Sequence, residues 1–214
     1  MLVPWFLLIA LWQGVATSGW VNAGLMPTPG QVASKLIELL FGGRLSIDIL
    51  KSTQRVTLGV ALGIAVAVPV GFLIGWYKSA RTFLDPLINF FRALPPIALI
   101  PLVVVYFGID EPAKVVILFY ASFFAGVIVP MTPPHILTSL RVALGVAWAT
   151  LVASELVAAQ QGLGALIQSA GSFFQIDVIY VGIVCIGVVA LSMDMGLRAL
   201  TRRMIRWQER VEAQ

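Results

Sequence analysis

Long apolar runs separated by short polar breaks set the organisation of this chain. They fall at about 2–16, 56–77, 83–107, 113–129, 136–159 and 178–200. At about 1.5 Å of rise per residue these runs approach or exceed the roughly 30 Å of a bilayer's hydrocarbon core, so each predicts a transmembrane helix. The expected fold is therefore an all-α, polytopic membrane bundle of six spans, one domain over residues 1–214. No basic residue precedes the first run, so it reads as a retained helix and not as a cleaved secretory signal. The stretch MPTPGQVASKLIELLFGG has a different pattern. Thr28 can cap, Pro29 suits a first helical turn, and Gly42 with Gly43 terminates, giving a helix over about 29–41. Val32, Leu36, Leu39 and Leu40 share one side of it while Lys35 and Glu38 lie off that side, so this helix should rest in the membrane interface.

Polar and helix-breaking residues inside the spans are the candidate chemistry. The second span holds Gly59 and Gly63, then Gly71 and Gly75, each pair four apart around Pro69, a spacing that lets helix backbones approach closely. The third reads LDPLINFFRALPPIALIPLVVVYFG, with Arg92 just before Pro95 and Pro96 and a further Pro101. The proline pair removes backbone donors mid-span, and such breaks occur where a helix lines a cavity or packs in protein. Arg92 is a candidate pathway residue, or else a cytoplasmic-side anchor that snorkels outward. In the fifth span, Arg141 and Glu155 lie fourteen residues apart, on one helix face and roughly 21 Å from each other. Charges at membrane depth usually face a bundle interior or a water-filled path. The alternative is a salt-bridged or snorkelling pair that only helps helices pack.

Composition agrees with the spans. The chain is 59% apolar and 11% charged, with a mean hydropathy of +0.96, which excludes an ordinary soluble domain. The net charge of +4 comes from basic residues concentrated beside apolar runs, so it signals topology and not a nucleic-acid surface. Lys78 and Arg81 after the second span, and Arg198, Arg202, Arg203, Arg206 and Arg210 at the end of the sixth, place both regions and both termini in the cytoplasm. The connection between the fourth and fifth spans should then be cytoplasmic too, yet PMTPP contains no Lys or Arg. Cys185 is the only cysteine and His135 the only histidine, so no intrachain disulfide, cysteine or histidine metal cluster, or histidine triad can form within one chain. Packing suffices for Cys185, as does a structural role for His135 after two prolines. No constellation for catalysis or for a bound cofactor appears.

The run LTSLRVALGVAWATLVASELVAAQQGLGALIQSAGSFFQIDVIYVGI, followed by GLRALTRRMIRW, resembles the C-terminal half of permease subunits of bacterial ABC importers for sulfonates, taurine and nitrate. MPTPGQV and LDPLINFFRALPPIALIPLVVVYFGIDEPAK resemble the same family upstream, so the likeness covers nearly the whole chain in order. ASELVAAQQGLG and QSAGSFFQIDV look closest to taurine permeases. The resemblance implies an inner-membrane permease homodimer in contact with lipid, a periplasmic solute-binding protein that delivers substrate, and two ATP-binding subunits docked inside. Substrate would cross between the permeases by alternating access, without chemistry by the permease. No GxxxxGK[ST] loop is present, consistent with ATP being handled by another chain.

One segment departs from the family. There, the span matching KVVILFYASFF leads into a cytoplasmic EAA segment, then a Gly, whose short coupling helix sits in a groove of the ATPase. Here VIVPMTPPHILTSLR resembles only its closing part, with Val129 and Pro130 at the LeuPro positions, and the seam falls near Ala125 and Gly126. A few dozen residues of the family pattern are missing. Two expectations follow: a transport subunit with Arg92, Pro95, Pro96, Arg141 and Glu155 in its pathway or gate, or a shortened, non-transporting membrane protein that cannot couple to the ATPase.

Overall fold

The computed structural model describes residues 3–20, 24–127 and 133–204. Its described residues form helices α1 (Val3–Thr17), α2 (Pro29–Phe41), α3 (Arg44–Trp76), α4 (Lys78–Ala93), α5 (Pro96–Phe107), α6 (Glu111–Gly126), α7 (Pro133–Ala158), α8 (Leu163–Ser172) and α9 (Ile176–Met204). The all-α membrane bundle is thus the observed class. Among them α3, α7 and α9 are long and apolar enough to cross a membrane unaided, and the bent pair α4 and α5 supplies a fourth crossing if taken together. α1 and α6 are apolar but shorter, at 15 and 16 residues.

The core is built where α3, α6 and α7 meet and is extended by α8 and α9. Val56 and Val60 of α3, Ile117 and Leu118 of α6, and Leu144, Trp148 and Leu151 of α7 are buried together with Leu163, Leu166 and Val181. α3 and α6 pack most extensively, and the first glycine pair explains how. A methyl group placed on Gly59 would collide with Leu118, and one on Gly63 would lie 2.6 Å from Ser122 Cβ, so side chains there would force the helices apart. The second pair behaves differently: Gly71 is buried but Gly75 faces open space. Cys185 packs in the core as a free thiol.

Local rules account for the two most informative boundaries. Thr28 and Gln31 make a reciprocal capping box at the start of α2, where Gln31 N–H donates to Thr28 Oγ1 (3.3 Å) and Thr28 N–H to Gln31 Oε1 (2.8 Å). Val32 is buried and Leu36 and Leu39 lie on the core, but Leu40 is exposed, so the apolar side of α2 is narrower than its pattern suggested. The third expected span is not one straight helix. Leu94 and Pro95 each precede a proline and are pushed to extended ψ values of 119° and 127°. The chain therefore turns by 92° between α4 and α5. α4 is held at this corner by Tyr120, whose hydroxyl donates to the carbonyl of Phe91, and by stacking of Phe91 on Phe124.

Candidate functional site

A buried network of charged groups gathers at one end of the bundle. Asp48, Ser52 and Arg55 occur at intervals of four and three residues on α3, which puts them on one helix face. The same face continues into Gly59 and Gly63, so it is the face turned into the bundle. Arg55 is 3% exposed at its side chain, and every arm of its guanidinium is engaged. Nη1 donates to Glu155 Oε1 (2.5 Å) and to the Gln161 carbonyl (2.6 Å), Nε donates to Glu111 Oε2 (2.7 Å), and Nη2 donates to Glu111 Oε1. One side chain thereby ties α3 to the first residue of α6, to α7, and to the turn before α8.

Glu155 does a second job. A helix start leaves backbone N–H groups without intrahelical partners, and Gly162, at the N-cap of α8, has no side chain to supply one. Those groups are satisfied from other helices. Gly162 N–H donates to Asp48 Oδ1 (2.8 Å), Leu163 N–H to Ser52 Oγ (2.9 Å) and Gly164 N–H to Glu155 Oε2 (2.8 Å). Ser52 in turn donates to Glu155 at 2.8 Å. Two carboxylates at the positive end of α8 are also favoured electrostatically. The room for this comes from Gly162, whose φ of +129° few other residues adopt, and Gly164, where an added methyl would lie 2.7 Å from Glu155 Cβ.

The network opens onto a cavity of about 690 Å³ between the turn before α6 and the turn before α8. Arg55, Asp110, Glu111, Lys114, Gln160 and Gln161 line it. Lys114 is buried, and its nearest carboxylate oxygen, on Glu111, is 3.7 Å away, a salt-bridge distance beyond hydrogen-bond reach.

A second charged group sits at the opposite end of α7. Asp194 of α9 accepts from Arg141 Nε (2.9 Å) and from Arg198 Nε (2.7 Å), and Arg198 Nη2 lies 2.6 Å from its Oδ2 in the same ion pair. Here Arg141 is 40% and Arg198 54% exposed at the side chain. Arg141 and Glu155 therefore do share a helix, roughly 21 Å apart, but each is paired, with different partners on different helices.

With this geometry in view, the comparisons with known proteins are specific. Residues 120–206 match the model of the binding-protein-dependent transport system inner membrane component. A probable ABC transporter permease protein of Brucella abortus is 40% identical over 92% of this chain and 93% of its own length. The chain belongs to the permease family of binding-protein-dependent ABC transporters. The taurine transport system permease protein TauC of Escherichia coli is 35% identical, with 96% of this chain and 88% of TauC aligned. This permease is accordingly a multi-pass protein of the inner membrane. The alignment to the Brucella relative runs over 233 positions, more than the 214 residues of the present chain, so relatives carry residues without a counterpart here.

The other sequence candidates are dispersed. Arg92 lies exposed in the last turn of α4 with no ion-pair partner among the described residues, while Pro95 caps α5 and Pro96 opens it. α4 packs on α3 and α6 and does not reach α7, so Arg92 is not brought beside Arg141 or Glu155. Val129 and Pro130 lie outside the described residues, and of His135 only the helical backbone is described. Asp48, Ser52, Arg55, Glu111, Lys114 and Gly162 were not read from the sequence as site residues. The i, i+4, i+7 polar stripe running into the glycines was the signal that could have found the first three.

Proposed function

We propose that the chain is the transmembrane subunit through which an ATP-driven importer moves a small anionic solute of taurine, alkanesulfonate or nitrate type across the bacterial inner membrane. The near end-to-end match to TauC carries this reading. The permease pairs as a homodimer among membrane lipids, receives solute from a periplasmic binding protein and is driven by a separate ATP-binding subunit. It binds no nucleic acid, uses no cofactor of its own and catalyses no reaction. Lys78 and Arg81 after α3, with the basic residues from Arg198 onward, put both termini in the cytoplasm. In that orientation the Arg55 network lies at the periplasmic end and the Arg141, Asp194 and Arg198 group at the cytoplasmic end. Exposed Arg92 beside the Pro95 and Pro96 bend, and half-exposed Arg141, serve the pathway. Glu155, held under α8, serves the gate as the fixed point on which the helices turn.

The test is taurine uptake by cells that lack their own taurine permease and express this chain with its ATP-binding and binding proteins. Uptake should depend on the chain, and Arg92→Ala should lower it without lowering the amount in the membrane. Normal uptake by a well-expressed Arg92→Ala variant would remove Arg92 from the pathway. A second reading, a shortened permease that cannot couple to the ATPase, is favoured by alignments longer than the chain itself and by the missing EAA pattern. Co-purification with the ATP-binding subunit, with hydrolysis stimulated by loaded binding protein, would exclude it.

A further inference from the structure

The polar residues of α4 lie in one line along the helix. Lys78, Arg81, Thr82, Asp85, Asn89 and Arg92 follow one another at steps of three, one, three, four and three residues, which keeps all of them within about 60° of Asp85 around the axis. The exposed apolar residues Phe83, Leu87 and Phe90 fall on the far side. Between these two stripes, half-buried Leu84 and Ile88, with Phe91 stacked on Phe124, form the side that packs on the bundle. The side chains of Asp85, Asn89 and Arg92 make no hydrogen bond or ion pair with a described residue. Such groups inside a bilayer require water or a polar partner.

The stripe ends at a break that makes the same demand. Pro95 and Pro96 have no N–H, so the carbonyls four residues before them, on Phe91 and Arg92, lose their helical donors. The Leu94 carbonyl loses its own because the Ala98 N–H turns to Pro95 (2.9 Å). Tyr120 meets the Phe91 carbonyl from the packed side, but no described side chain reaches the other two. Ala93 and Pro95 are exposed, so the described chain does not cover the break. Tyr120 and Phe124 lie nine and thirteen residues past Glu111, which sets this corner roughly 14–20 Å from that end of α6, well inside a core of about 30 Å. Non-helical backbone at that depth persists where protein buries it or water reaches it. We infer that the polar stripe of α4 lines a water-filled vestibule, entered at Lys78 on the cytoplasmic side and ending at the Pro95 and Pro96 break, with Asp85 and Asn89 joining Arg92 as solute-path residues. Lys78, Arg81 and Arg92 against Asp85 alone make it attractive to anions. The inference rests on the transport reading and deepens it, since that reading assigned only Arg92 on this helix.

Thiol labelling decides between a wet stripe and a covered one. The full chain, co-expressed with its ATP-binding subunit, is labelled in inverted membrane vesicles with methanethiosulfonate ethylsulfonate, a charged reagent that reacts where water admits it. The one native thiol, Cys185, is buried, and the parent chain sets the unlabelled baseline. Asp85→Cys and Asn89→Cys should react at least about tenfold faster than Leu87→Cys and Phe90→Cys on the apolar side, because the reactive thiolate is disfavoured in apolar surroundings. Taurine in excess should slow the reaction at Asn89→Cys by at least about twofold, as occupied sites exclude the reagent. Should Asp85→Cys fail to reach the membrane, Asn89→Cys carries the comparison alone. Equal rates on both sides of α4, or no reaction at the stripe because lipid or a second copy covers it, would overturn the vestibule. So would a rate at Asn89→Cys that ignores taurine in membranes from cells that take taurine up. Absence of taurine uptake with the stripe still labelled selectively would count against the transport reading alone.

Discussion

The two ends of α7 use the same kind of charge in opposite ways. At the Glu155 end the carboxylate is fully buried and meets an arginine that is itself buried, and the pair joins α3, α6, α7 and the start of α8. At the Arg141 end two half-exposed arginines share Asp194, and only α7 and α9 are joined. Solvent makes the difference. A water-exposed pair can exchange protein for water at little net cost, whereas a buried charge stripped of its partner has nowhere to turn. The Glu155 end is therefore a fixed joint, and the Arg141 end is free to be remade during a conformational change.

The comparison breaks most sharply at Arg55. Arg55→Met should destabilise the chain by about 3–5 kcal/mol, because Glu155 would remain buried without its cation. Thermal unfolding in detergent measures this, and Arg55→Met combined with Glu155→Met should lose less than the two single changes added together. A parent-like melting temperature for the single variant would put the two ends on the same footing. Gly162→Ala sharpens the same contrast at smaller scale. Its φ of +129° and the closeness of Glu155 and Arg55 predict a loss of about 1–3 kcal/mol from backbone strain alone, with added cost if the carboxylate must move. An unfolding curve superimposable on the parent would show that the turn relaxes freely and that the joint is looser than its contacts imply.

Much of this architecture is legible in the residues. The apolar runs locate α1, α3, α6, α7 and α9 to within a few residues at most ends, and Thr28, Pro29 and Gly42 set the bounds of α2 through backbone rules that act locally. The break at Pro95 and Pro96 is legible for the same reason, but its 92° angle is not, because the aromatic contacts of Phe91 with α6 help set it. α3 begins twelve residues before the run that announced it, since Asp48, Ser52 and Arg55 read as a polar boundary until their partners are known. Those partners lie 56 to 114 residues away in sequence, beyond what a local pattern carries. α8 was missed altogether. Its ten residues start at glycines, and its first amide groups are satisfied by α3 and α7, so the helix is defined by tertiary contacts and not by its own cap.

The weakest effect belongs to the other end of α7. Asp194→Asn removes the shared anion between Arg141 and Arg198, yet those side chains are already 40% and 54% exposed, so unfolding should shift by no more than about 1 kcal/mol. The small loss should also shrink as salt rises from low to physiological strength, because an exposed pair is screened over about 10 Å at 0.1 M. Arg55→Met should show little such dependence, since salt has poor access to a side chain 3% exposed. Salt sensitivity thus separates the two ends without reference to the size of either loss. A salt-independent destabilisation by Asp194→Asn that matches Arg55→Met would mean that Arg141 and Arg198 are covered in the working protein, and that this end is a second fixed joint.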